Sequence, residues 1–233
     1  MRTIGLLGGM SWESTVTYYQ AINSGIKNRL GGLHSAKICL YSVDFHEIEK
    51  YMNSGCWDKV TLDLIQAAQK VQAGGADFLL ICTNTMHKLA PAVESALSIP
   101  LIHIADATAE RIRYKGIQRV GLLGTQFTME EDFYKGRLTD KFGLDVVVPE
   151  ASDRRIVHDV IFNELCRGQV VESSRRKYLD IIQRLSDQGA QAVILGCTEI
   201  ALLVDQSHCS IPLFDTTAIH ADKAVELALA DQF

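Results

Sequence analysis

The chain has 233 residues, 47% of them hydrophobic and 22% charged, with a net charge of -5; this is enough for one large domain or two small lobes, and no basic tract suits a nucleic acid. Its longest apolar runs, "DFLLIC" and "QAVILGC", are too short to span a bilayer, and the start "MRTIGLLGGMSWES" reads as a first strand rather than an export signal, which places the protein in the cytoplasm. Six cysteines with no CxxC pair form no disulfide framework and are expected to be reduced. In chain order, "TIGLLGG" (3–9) is a β-branched and leucine-rich run stopped by glycine, hence a strand. "SWESTVTYYQAINSGIKNRL" (11–30) is a helix with Ser11 as N-cap, Glu13 in its first turn, and Val16, Tyr19, Ile22 and Ile26 at helical spacing. "AKICLYSVDF" is a strand, and "WDKVTLDLIQAAQKVQAGG" a helix closed by Gly74 and Gly75. "DFLLIC", "PLIHIA", "RVGLLG", "LDVVVP", "AVILGC" and "IPLFD" are further strands, and "SRRKYLDIIQRLSDQGA" is an amphipathic helix stopped at Gly189. The alternation predicts an α/β protein with parallel sheets flanked by helices.

The chain also repeats itself. "IGLLGGMSWEST" (4–15) is answered by "VGLLGTQFTMEE" (120–131), "GGADFLLICTNT" (74–85) by "QGAQAVILGCTE" (188–199), and "IPLIHIADAT" (99–108) by "IPLFDTTAIH" (211–220). The three pairs keep one order and nearly one spacing. This predicts two pseudo-symmetric lobes, 1–112 and 113–210, with 211–233 returning to the first, and a binding cleft beyond the carboxyl ends of the strands. In the repeat register Thr83-Asn84-Thr85 answers Cys197-Thr198-Glu199. Both loops open helices, so their N–H groups and hydroxyls suit a substrate carboxylate. The helix N-terminus is expected to draw the Cys197 thiol below its free value of about 8.5.

"GLLGGMSWEST", Asn84-Thr85 with His87, "GCTEI" (196–200) and "IPLFDTT" (211–217) together resemble the aspartate/glutamate racemase family over nearly the whole chain, from Ile4 to His220. The resemblance implies a pyridoxal-independent racemase that needs no cofactor and no metal. It implies an amino acid held between two catalytic positions, one thiolate removing the α-proton and the other side returning a proton on the opposite face. Cys197 matches the second-lobe thiol and, by the resemblance, serves the L-enantiomer. The first-lobe thiol normally stands immediately before Asn-Thr, and here that position is Thr83. Cys82 is one residue too early, and neighbouring strand side chains point to opposite faces, so its thiol is expected in the packing; if the strand bends at Cys82, the thiol reaches the cleft instead. A threonine hydroxyl needs an adjacent base to be activated, so Thr83 is read as a relay opposite Cys197.

Asn84, Thr85 and Thr198 are the candidates for the α-carboxylate, with the backbone at Gly9, Met10 and Ser11 closing the pocket. Glu199 orients the Cys197 loop or meets the substrate ammonium, and His87 either orients the first loop or is a packing histidine. For the side chain of the substrate, Lys50 or Met52 faces the cleft: lysine suits aspartate or glutamate, methionine a longer neutral amino acid. Arg167 and Glu164 oppose each other in the same way in the second lobe. Aspartate or glutamate ranks first, then broad specificity for neutral amino acids. A related thiol-dependent decarboxylase or isomerase, and a non-catalytic amino-acid-binding protein, are the alternatives from other classes. A homodimer is expected, with Trp12 and Trp57 packing between lobes or subunits. Cys39, Cys56, Cys166 and Cys209 lie in no motif, and His103, His158, His208 and His220 have no partner evident from sequence.

Overall fold

The computed structural model describes residues 1–230. The chain divides into two compact units, one made of residues up to Ile104 together with those from His220 on, the other of Ala105–Ile219. The divisions therefore fall at 104 and 219, where the sequence division was drawn at 112 and 210.

The first unit contains β1 (Ile4–Gly8), α1 (Trp12–Leu30), β2 (Ile38–Ser42), α2 (Phe45–Asn53), α3 (Trp57–Ala73), β3 (Phe78–Ile81), a 3-10 turn at Thr85–Leu89 and α4 (Ala90–Ser95). Its parallel sheet has the order β2-β1-β3, with Leu7 opposite both Tyr41 and Ile81. β1 is central and covered on both faces, which is why it reads as an unbroken apolar run rather than an alternation. Ser11 caps α1 as expected, its hydroxyl accepting from the Ser14 N–H at 3.3 Å. The buried stripe of α1 is Ser14, Thr15, Tyr18, Ile22 and Ile26. Val16 and Tyr19, expected inside, are 43% and 51% exposed. The reason lies at the strand end: a Cβ on Gly8 would meet Thr15 Cγ2 at 2.5 Å, and the Gly9 N–H donates to Thr15 Oγ1 at 2.8 Å. That close approach seats Thr15 inward and rotates Val16 out. Trp12, expected to pack between lobes or subunits, is 64% exposed on the single chain.

The second unit contains α5 (Ile104–Tyr114, from its second residue), β4 (Arg119–Gly124), α6 (Gln126–Glu130), α7 (Asp132–Phe142), β5 (Asp145–Val147), α8 (Ala151–Asn163), a 3-10 turn at Leu165–Arg167, α9 (Glu172–Asp187), β6 (Ala192–Gly196), α10 (Ile200–Leu203), a 3-10 turn at Gln206–His208 and β7 (Leu213–Asp215). Its parallel sheet has the order β5-β4-β6-β7. α11 (Thr216–Leu229) begins there and carries the chain back, so that Ala221, Ala224, Val225 and Ala228 join Ile4, Tyr18, Leu80 and Cys82 in the first core.

The repeat is visible in the ladders. Val193 pairs with Leu213, and its N–H donates to Pro212 O at 2.9 Å; Leu79 meets Leu101 in an isolated parallel bridge, and its N–H donates to Pro100 O at 2.9 Å. "PLIHIA" is thus not the strand expected. It pairs at one residue and turns into α5 at Ile104, while its counterpart continues as β7. Among the described residues no helix is long and apolar enough to cross a membrane, and no three His, Cys, Asp or Glu are grouped to hold a metal ion.

Candidate active site

In the first unit the paired strands β1 and β3 bring Met10 and Ser11 to the same sheet edge as Thr83, Asn84 and Thr85, and all five are buried. The chain turns at Gly9, whose φ of +93° is open to glycine, and where a Cβ would meet Val43 O at 2.3 Å. Cys82 is still in the ladder, its N–H donating to Leu7 O at 2.9 Å, and its side chain lies in the apolar core. Burial pushes that thiol far up, so it is inert as an acid. On α2, Ile48 and Met52 are buried while Lys50 is exposed.

The Thr83 loop is tethered from behind. His87 Nδ1 lies 2.7 Å from Thr83 O, and the Ile104 N–H donates to His87 Nε2 at 3.2 Å. A carbonyl only accepts and an N–H only donates, so these two contacts fix His87 as the neutral tautomer protonated on Nδ1. The ring thereby also satisfies the first N–H of α5, a group that no helical carbonyl reaches. His103 and His220 pack nearby, tilted and edge-on, their ring centroids 4.5 and 5.9 Å from that of His87. His220 donates from Nε2 to Ile102 O at 2.7 Å and accepts from the Tyr18 hydroxyl at 2.8 Å. Burial pushes His220 down to about 4, against a smaller opposing effect of the Ile102 carbonyl. Three buried histidines behind one loop is the feature that sequence reasoning missed. Tyr18 and His220 are separated by 202 positions, so no spacing could have announced them.

In the second unit Cys197, Thr198 and Glu199 follow β6, and all are buried, Cys197 being 8% exposed. Cys197 Sγ donates to Glu199 Oε2 at 3.1 Å, and Thr198 Oγ1 donates to the same oxygen at 2.6 Å. The expectation that a helix N-terminus lowers the Cys197 thiol is overturned. Burial pushes it well up, and the Glu199 carboxylate and Cys166 add to the rise. α10 is only four residues long, so it offers little dipole to oppose them. In the resting protein Cys197 is a thiol. Glu164 accepts from the Ser174 hydroxyl at 2.9 Å, and Arg167 is exposed on its 3-10 turn.

The ladders set the two loops in register. Ile4 pairs with Phe78 where Val120 pairs with Ala192, which aligns Cys82 with Gly196 and Thr83 with Cys197. A family model described as Asp/Glu/Hydantoin racemase matches residues 7–224. The chain belongs to that family. As a member of the Asp/Glu/Hydantoin racemase family it is an enzyme of the isomerase class. A solved structure provisionally named an Asp/Glu racemase, from Yersinia pestis, is 53% identical and superposes with a TM-score of 0.92, covering 98% of this chain and 100% of that one. An aspartate racemase homologue from Pyrococcus horikoshii OT3 is 33% identical with a TM-score of 0.83, covering 98% and 99%. A broad specificity amino-acid racemase from Bacillus subtilis (strain 168) is 25% identical over 175 residues, 75% of each chain.

Proposed function

We propose that the protein is a pyridoxal-independent amino-acid racemase acting on aspartate or glutamate. Cys197 takes the α-proton of the L-enantiomer, and Thr83 serves the opposite face. The observation that carries the reading is the buried Cys197 thiol after β6, 3.1 Å from a carboxylate that can receive its proton. Register and family add to it, since Thr83 stands where the repeat places Cys197. In this reading Asn84, Thr85 and Thr198 hold the α-carboxylate, with Met10 and Ser11 closing the pocket. No cofactor enters the scheme: a thiolate in a water-poor site is base enough for an α-proton whose carbanion is stabilised by the adjoining carboxylate.

A second reading, broad specificity for neutral amino acids, is favoured by one relative described as a broad specificity amino-acid racemase and by a buried Met52 beside an exposed Lys50. We assign a cytoplasmic homodimer to either reading; sedimentation checks the assembly. The deciding experiment is a screen of L- and D-amino acids in deuterium oxide, followed by mass and NMR detection of deuterium at Cα. Exchange of aspartate and glutamate above all others supports the first reading, and equal exchange of neutral side chains supports the second. No exchange of any amino acid overturns both. Full activity after a carbonyl reagent that spares thiols is expected; its loss would contradict the cofactor-free scheme.

A further inference from the structure

The Cys197 loop holds two acidic hydrogens on one carboxylate oxygen. Glu199 Oε2 receives the Cys197 thiol at 3.1 Å and the Thr198 hydroxyl at 2.6 Å. Among the described residues, the charged or titratable side chains that act on the thiol are Glu199 and Cys166. Cys166 packs against the same cluster, and Tyr178 on α9 is buried with its hydroxyl donating to Val157 O at 2.9 Å. Glu164, on the turn before Cys166, is itself a carboxyl. A thiol that released its proton to water here would place a second negative charge beside Glu199 in a buried site, which is costly. Passing the proton to Glu199 leaves the pair with a single negative charge throughout.

We propose that Glu199 is the immediate acceptor of the Cys197 proton, so that the two side chains share one proton and act as a dyad. This rests on the reading of Cys197 as the base. In the step, the S–H bond breaks and an O–H bond forms on Glu199 Oε2, leaving the electron pair on sulfur. The thiolate then takes the α-proton: the Cα–H bond breaks, S–H re-forms, and the electron pair stays on the substrate, delocalised into its carboxylate. The carbanion takes a proton on its opposite face from the Thr83 hydroxyl, which water reprotonates, and the dyad, now holding two protons, returns one to water as product leaves. The arrangement also explains a thiol that is hard to ionise alone and yet placed for base chemistry: what titrates is the pair. Thr198, whose hydroxyl donates to Glu199 Oε2, keeps that oxygen turned to the sulfur.

The test is the pH profile of Cys197 alkylation by iodoacetamide, read by mass spectrometry at that cysteine. A shared proton gives a thiolate–acid form whose population does not change with pH while the pair keeps one proton. The wild-type rate is therefore expected to be flat over a neutral span of about two pH units or more. A rate that climbs about tenfold per pH unit through that whole range overturns the proposal, since the proton then goes to water. Glu199→Gln keeps an acceptor oxygen for Thr198 and removes the base. It should lose the flat span and lower Cα deuterium exchange by about a hundredfold or more. Glu199→Asp should keep the flat span with a smaller exchange loss. Glu199→Gln with an unchanged profile and unchanged exchange overturns the proposal, and if that variant does not fold, the wild-type profile alone decides. Cys197→Ala separates the two levels. Exchange that survives it overturns the base and the dyad together, whereas exchange lost with it, beside a wild-type profile lacking the flat span, overturns the dyad alone.

Discussion

From Cys82 the chain reads Cys-Thr-Asn-Thr, and from Gly196, in the same register, Gly-Cys-Thr-Glu. The strands that carry the two loops are alike, and what lies behind each loop is not. Thr83 is held by its backbone carbonyl, through a neutral imidazole that also caps α5. Cys197 is held by its own side chain, through a carboxylate. Even the residue before each differs for a packing reason. Cys82 fills the first core, whereas at Gly196 a Cβ would meet Leu123 O at 2.7 Å. Duplicated strands thus set where a loop begins, and the side chains behind it differ: an imidazole on a backbone carbonyl in the first unit, a carboxylate on a thiol in the second.

The largest expected effect comes from erasing that difference at the second loop. Cys197→Ser keeps the hydrogen bond to Glu199 but replaces a thiol with a hydroxyl, which is far harder to ionise. Cα deuterium exchange of the L-substrate should fall on the order of a thousandfold, about 4 kcal/mol of barrier. Thr83→Ala should cost that same exchange much less, within about tenfold to a hundredfold, because abstraction from this enantiomer needs only the thiol side. Equal losses in the two variants would contradict an asymmetric pair.

Acid should break the two units unequally. His220 is held neutral with its titration pushed down to about 4, while an unfolded histidine titrates near 6.5. Its folded value is depressed, so between these limits the unfolded state binds more protons and stability falls with falling pH. The stability is fully present above about pH 6.5 and is lost by about pH 4, on the order of 3 kcal/mol. In the second unit His158 is pushed the same way by burial, but it is half-buried and weighs less. Asp106 is half-buried, which raises it, but hydrogen bonds from Arg137 and Lys141 outweigh this and hold it below the ordinary carboxylate range, so its contribution is lost only at lower pH. Amide exchange followed from pH 7 to 4.5 should therefore open β3 before β6. The opposite order would mean that the histidine cluster does not govern the first unit.

Sequence pattern made the strands legible because parallel strands covered by helices are buried on both faces, as β1, β3 and β6 are. It misread "PLIHIA" for the same reason: an apolar run carries no sign that Ile104 starts a helix capped by a histidine seventeen positions earlier. Apolar spacing placed Val16 and Tyr19 inside α1, although the inward face is set by the Thr15 contact with Gly8 and Gly9, a matter of approach distance rather than hydropathy. The motif located Cys197 and Glu199, but the direction of the thiol's shift depends on where one carboxylate oxygen points. Such side-chain facts lie outside any linear pattern.

The smallest and sharpest test makes the two loops alike. Thr83→Cys restores a thiol at the position in register with Cys197, with little change in volume. It places no carboxylate like Glu199 there, since the residue two positions on is Thr85. The new thiol should therefore be a modest base, raising exchange of the D-enantiomer by about tenfold, or about 1.4 kcal/mol, and that of the L-enantiomer less. Cys82→Ser is the control for register. Its side chain is buried in the first core, so a hydroxyl there should cost about 1–3 kcal/mol of stability while exchange at Cα stays as it was. If Cys82→Ser instead removes D-side exchange and Thr83→Cys adds none, the reacting thiol of the first unit is Cys82, and the difference between the loops disappears.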